Sequence, residues 1–204
     1  MSELIEPSPL LIDYFVKVRQ LIADLHSDIS SFKLVNEWPY IESDIESNIL
    51  LLDRLRSLDL LPEVVSICDC GIGLGTIMYD LYLQSKELDG YRFKFYGVEK
   101  YVPYIDCFES NLRSYWQDDL NLIQDDLMAH SYGGYNFIWI FTPYSTSDKL
   151  MAFFEKVILE MPVGGLVFGI DHYRIETYGS DSLKLEFRKL ESHKVDDLWC
   201  FRKV

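Results

Sequence analysis

The chain has 204 residues, of which 49% are hydrophobic and 15% aromatic, and a formal net charge of -14. This composition fits one globular domain with a large core and excludes a disordered or low-complexity chain. The acidic residues are spread along the chain rather than gathered in a tail, so the surface repels phosphate and nucleic acid is an unlikely partner.

No apolar run approaches the ~20 residues of a membrane helix. The opening Met1-Ser2-Glu3-Leu4 lacks the positive start of a secretory signal. A soluble, cytoplasmic protein with no membrane partner is expected. The four cysteines, Cys68, Cys70, Cys107 and Cys200, show no zinc-ligand spacing. They read as reduced, mostly buried thiols, and no metal site is expected.

Taken in chain order, Ser8 and Pro9 open a helix as N-cap and first-turn residues. Leu11, Phe15, Val18, Ile22, Leu25, Ile29 and Phe32 fall on one face of it. That face packs on its own domain, or pairs with a second copy to make a homodimer through the N-terminal helix. Residues 36–40 break the pattern. Ser43 with Glu46 forms a capping box for a second helix, whose buried face carries Ile45, Ile49, Leu52 and Leu55 and which ends at Leu61-Pro62. Residues 1–62 thus read as a helical extension packed on, or capping, a core formed by residues 63–204.

From residue 64 strands and helices alternate. Strands are predicted at 64–68, 93–98, 120–124, 136–141 and 165–170. Helices are predicted at 76–83, at 101–112 with Pro103 in the first turn, and at 147–159 with Ser147 as cap. This order implies an α/β fold with a parallel sheet and helices on both faces. The tail differs: residues 182–190 alternate through Leu183, Leu185 and Phe187, a polar stretch follows over 191–197, and Leu198-Trp199-Cys200-Phe201 closes a terminal antiparallel hairpin. Five parallel strands plus a hairpin make a seven-stranded layout, which is not that of a plain dinucleotide domain.

The strongest chemical signal is Asp69-Cys70-Gly71-Ile72-Gly73-Leu74-Gly75-Thr76, between a predicted strand and a predicted helix. Glycines there permit a tight turn and a close backbone approach to a ligand, and Asp69 at the strand end can accept from a cationic group. A dinucleotide loop needs glycine at position 76, where this chain has Thr76. The D-x-G-x-G-x-G pattern instead resembles the first motif of class I S-adenosylmethionine (SAM)-dependent methyltransferases, and the resemblance runs from about residue 64 to the C-terminus.

That resemblance implies a Rossmann-like methyltransferase fold that binds SAM across the carboxyl ends of strands one to four. Asp69, Gly71, Gly73 and Gly75 would form the cofactor loop. Glu99, ending the second strand, would accept from both ribose hydroxyls. Asp126 after the third strand, or its neighbour Asp125, would receive the adenine amino group, with Leu127 and Met128 against the ring. Thr142 would border the cofactor beyond the fourth strand, and Tyr144 would wall the methyl site. His172, after the fifth strand, is a candidate general base.

Amino-group methyltransferases of nucleobases and glutamine often carry Asn/Asp-Pro-Pro-Tyr after the fourth strand. This chain has Phe141-Thr142-Pro143-Tyr144, which lacks the amine acceptor, so neither assignment follows. The expected acceptor is a small molecule or a protein side chain. Two rival readings are an aminopropyl transferase and a non-catalytic binding module on the same fold.

Overall fold

The computed structural model describes residues 8–29, 51–141, 144, 147–169, 190–195 and 198–204. Helix α1 (Pro9–Ile29) starts where Ser8 Oγ accepts from the Leu11 N–H at 3.2 Å, the expected cap. Its buried residues are Leu11, Tyr14, Val18 and Leu21. Phe15, Ile22 and Leu25 from the expected face are only partly buried, so the helix is rolled toward Tyr14. Leu11 and Val18 are spent on contacts within the chain. Helix α2 (Leu51–Ser57) buries Leu51, Leu52 and Leu55; its expected cap residues, Ser43 and Glu46, lie outside the described residues.

The α/β core is Rossmann-like. In chain order it comprises β1 (Val64–Cys70), α3 (Thr76–Ser85), β2 (Arg92–Glu99), α4 (Val102–Asn111), a 3₁₀ turn (Arg113–Trp116), β3 (Leu120–Gln124), β4 (Phe137–Ile140), α5 (Ser147–Glu160), β5 (Leu166–Phe168), β6 (Leu190–Val195) and β7 (Leu198–Lys203). The strands form one mixed sheet ordered β3-β2-β1-β4-β5-β7-β6. The first five are parallel, and β7 runs antiparallel to both β5 and β6.

The hairpin differs from expectation. Its first strand is Leu190–Val195, paired from Leu190↔Lys203 to Val195↔Leu198, within the stretch read as a polar connection. A strand at the sheet edge has one unpaired side, so the polar sequence Glu191-Ser192-His193-Lys194 is compatible with it. The strand expected over 182–190 lies, apart from Leu190, outside the described residues.

Alternation along the strands divides the core. Val65, Ile67, Phe95, Phe137 and Trp139 face a cluster built with α1, α2, α3 and α4. Cys68, Cys70, Val98, Ile138, Ile140 and Val167 face a second cluster built with α5. The first cluster is aromatic at its centre: Tyr14 stacks on Tyr79 at 4.1 Å, and Trp116 packs on Tyr79, Tyr82 and Phe95. Among the described residues, no helix is long and apolar enough to cross a membrane.

This packing fixes the loop after β1. A Cβ on Gly97 of β2 would lie 2.3 Å from Ile72 Cδ1, so glycine is required for the loop to settle on β2. From α1, the Tyr14 hydroxyl donates to the Leu74 carbonyl at 2.6 Å, and Trp116 Nε1 donates to the same hydroxyl at 3.3 Å. The N-terminal helix is therefore bonded directly to the glycine loop.

Candidate functional site

The loop's shape follows from its glycines. Gly71, Gly73 and Gly75 have φ of 84°, 54° and 73°, a left-handed region that costs other residues energy. The Gly71 and Ile72 N–H groups both donate to the Val98 carbonyl, at 2.9 and 3.1 Å. Gly75 is the N-cap of α3 and supplies no side-chain cap, so the helix N-terminus opens on the loop, a position that favours negative charge.

Alternation puts Asp69 and Glu99 on the sheet face shared by Ile67 and Phe95. Each is 6% exposed, yet their partners differ. Glu99 Oε2 accepts from the Gly73 N–H at 3.0 Å, while its Oε1 accepts from Lys100 and Tyr101 N–H at 2.8 and 2.9 Å. The Asp69 carboxyl has no hydrogen-bond donor or cation paired with it among the described residues. Burial, with the Glu99 charge alongside, pushes its pKa up to about 8. Such a group is suited to a cation brought in by a ligand. Glu99 organises the loop through its bonds to the Gly73, Lys100 and Tyr101 N–H groups.

The loop after β3 carries the next candidates. The Asp125 N–H donates to the Glu99 carbonyl at 3.1 Å, tying this loop to the end of β2. The Asp125 carboxylate is engaged by the Asp126 N–H at 2.8 Å and by His130 Nδ1 at 3.0 Å. Asp126 is more open, with its side chain 43% exposed. Its Oδ1 accepts from the Met128 N–H at 2.9 Å and its Oδ2 pairs with Lys100 Nζ at 3.1 Å. These contacts, the Met128 N–H first, hold its carboxyl below the usual range, so it is an anion and an acceptor at neutral pH. Leu127 is buried in the α5-side cluster, whereas Met128 is exposed. Of the two, Met128 is the side chain open to a ligand.

Tyr144 lies beyond β4 and is buried, edge-on to Phe153 at 5.6 Å, with Lys149 Nζ 5.9 Å from its ring centre. Thr142 and His172 lie outside the described residues. Asp69, the three glycines, Glu99 and the Asp125–Asp126 loop are brought together at the carboxyl ends of β1, β2 and β3. In an open α/β sheet this edge is where ligands bind. Sequence reasoning missed Tyr14 and His130. Tyr14 sits three residues after Leu11, at a buried helical phase, which is a readable signal; nothing in the local sequence marks His130.

A scan with protein-family models finds no match for the sequence, and a search of curated proteins also finds none. Solved structures do match in shape. A putative class I S-adenosylmethionine-dependent methyltransferase from Listeria monocytogenes superposes with a TM-score of 0.58 at 10% identity, covering 91% of this chain and 68% of that one. The precorrin-6y C5,15-methyltransferase from Geobacter metallireducens gives 0.55 at 12% identity, over 82% and 93% of the two chains. An RNA methyltransferase from Salinibacter ruber, in complex with S-adenosyl-L-homocysteine, gives 0.51 at 13% identity, over 80% and 92%. The chain has the fold of the class I SAM-dependent methyltransferases.

Proposed function

We propose that the protein is a SAM-dependent methyltransferase with a seven-stranded class I sheet, acting on a small molecule or a protein side chain. The observation that carries this reading is the contrast between two buried carboxylates around one glycine loop. Among the described residues Asp69 has no donor or cation paired with it, as a ligand cation requires, and Glu99 holds the loop at the place where its carboxylate would meet the ribose hydroxyls. The residues present fit the cofactor on their own chemistry: a buried carboxyl at Asp69 that a ligand cation would ionise, carboxylates at Glu99 and Asp126, and a loop whose backbone is open to close approach.

Bound SAM supplies an electrophilic methyl group; the chain's residues bind, orient and exclude water. Asp69 would hold the cationic end, Glu99 the ribose and Asp126 the adenine amine. Tyr144 would form part of the wall near the methyl, and His172 would accept the acceptor's proton. The net charge of -14 favours an acceptor other than a polyphosphate chain.

The test is thermal stabilisation. A ligand at a hundred times its Kd adds about 2.7 kcal/mol to the folded state. S-adenosylhomocysteine at that excess should raise the Tm by several degrees, while NAD at the same concentration should leave it unchanged. An equal shift with NAD would return the glycine loop to the dinucleotide class.

A further inference from the structure

From the hydrogen-bond chain that joins Asp125, His130 and Tyr135, we infer that His130 is a positioning residue that holds the β3 loop so that Asp126 can select an adenine amino group. The inference rests on the proposed cofactor site and adds a specificity device outside it.

His130 Nδ1 lies 3.0 Å from Asp125 Oδ2, and His130 Nε2 lies 2.9 Å from the Tyr135 hydroxyl. A carboxylate can only accept, so Nδ1 carries a proton toward Asp125, and Nε2 shares the second hydrogen bond with the Tyr135 hydroxyl. The imidazole is fixed at both ends. Its ring also stacks on Tyr135 at 5.7 Å and meets Tyr132 edge-on at 5.3 Å, and only 11% of its side chain is exposed. Tyr135 is in turn buried against Tyr96 of β2. An imidazole locked to the body of the sheet thus grips a carboxylate at the sheet's rim.

That grip passes directly to Asp126. The other oxygen of Asp125 accepts from the Asp126 N–H at 2.8 Å. The Ala129 and His130 N–H groups close on the Asp126 carbonyl, both at 2.9 Å. The turn is therefore bonded on both sides of Asp126, whose side chain is 43% exposed and whose Oδ2 is paired with the surface lysine Lys100. Without the imidazole, the Asp125 carboxylate loses its side-chain anchor, and the turn is left with the backbone bond from the Asp125 N–H to the Glu99 carbonyl and can shift around it. Displacing an acceptor by about an ångström is enough to lose a directional hydrogen bond.

The experiment compares S-adenosylhomocysteine with its 6-oxo analogue, S-inosylhomocysteine, which presents an acceptor where adenine presents the amino donor. Dissociation constants are measured for both ligands with the parent chain, His130→Ala, His130→Asn and Tyr135→Phe. The parent should prefer the adenine form by about 10- to 100-fold, since it forms one hydrogen bond to a charged acceptor that the analogue lacks. His130→Ala should bring the ratio close to one, chiefly by weakening the adenine form. His130→Asn, whose amide can reproduce the Nδ1 donor, should keep most of the preference, and Tyr135→Phe should lose part of it.

A purely structural role for His130 would weaken both ligands equally and leave the ratio unchanged, which overturns the inference while leaving the cofactor site intact. A parent chain that binds the analogue as well as the adenine form overturns the role of Asp126, and the inference with it. Should His130→Ala fail to fold, the ratio in Tyr135→Phe decides: an undiminished preference there overturns the proposal.

Discussion

Glu99→Ala is expected to weaken binding of S-adenosylhomocysteine by more than a hundredfold and to destabilise the free protein as well. The ribose contact alone would account for roughly ten- to a hundredfold. The larger figure follows from what Glu99 does before any ligand arrives: it accepts from the N–H groups of Gly73, Lys100 and Tyr101. Removing the carboxylate orphans three donors at a buried position, which costs about 2–5 kcal/mol, depending on how much water enters. Glu99→Gln keeps the shape but not the acceptors. With its oxygen on the Lys100 and Tyr101 N–H groups, its amide NH₂ faces the Gly73 N–H, donor against donor. It should be more stable than the alanine variant and still bind poorly. Glu87→Ala, at an exposed position, should change neither property. Urea melts and calorimetric titration of the three variants check this; a normal Kd in Glu99→Ala would remove Glu99 from the site.

The second large effect is the pH dependence set by Asp69. The folded-state pKa is raised to about 8 from an ordinary value of 3.8. A raised acid binds its proton more tightly folded than unfolded, so its contribution is fully present below about pH 4. It is then lost as pH rises through about 8. The slope is at most about 1.4 kcal/mol per pH unit, which amounts to several kcal/mol across the window. Asp80 adds in the same direction between about pH 4 and 7, because burial pushes its carboxyl up to about 7 against the single hydrogen bond from Gln84. Asp69→Asn should therefore flatten most of the slope, leaving the part due to Asp80. A ligand cation beside Asp69 favours its ionised form, so S-adenosylhomocysteine binding near pH 7 should release up to about one proton. Calorimetry in buffers of different ionisation enthalpy measures that release. Denaturant melts from pH 4 to 9 measure the slope; a flat curve for the parent would mean that Asp69 is ionised without a partner, contrary to its burial.

Much of the site was legible because local rules and ligand chemistry coincide there. The run from Asp69 to Thr76 announces a strand end, a turn needing positive φ and a helix start, and all three are found. Glu99 was readable as a carboxylate closing a strand, but its grip on Gly73 was not, since that bond joins positions 26 residues apart. The face of α1 was misjudged by one phase. Counting apolar residues favoured Phe15, whereas Tyr14 is preferred inside because its hydroxyl finds the Leu74 carbonyl and its ring finds Tyr79. The strand Leu190–Val195 was hidden because its run Glu191-Ser192-His193-Lys194 carries no apolar alternation. The 3₁₀ turn Arg113–Trp116 lies between the expected helix over 101–112 and the expected strand over 120–124 and was not anticipated; only the burial of Trp116 in the aromatic cluster gives it a purpose. His130 depends on partners at positions 125 and 135 that no period connects.

The central claim is that the loop between Asp69 and Thr76 is where SAM binds. The most direct measurement is isothermal titration of S-adenosylhomocysteine into the parent chain and into Gly73→Val. At φ 54° a β-branched side chain is strained, and on the proposed reading it would stand where the backbone comes closest to the cofactor. Saturable one-to-one binding by the parent, weakened at least a hundredfold in a Gly73→Val chain that still melts cooperatively, is the predicted result. No binding by the parent, or equal binding by both chains, would contradict it.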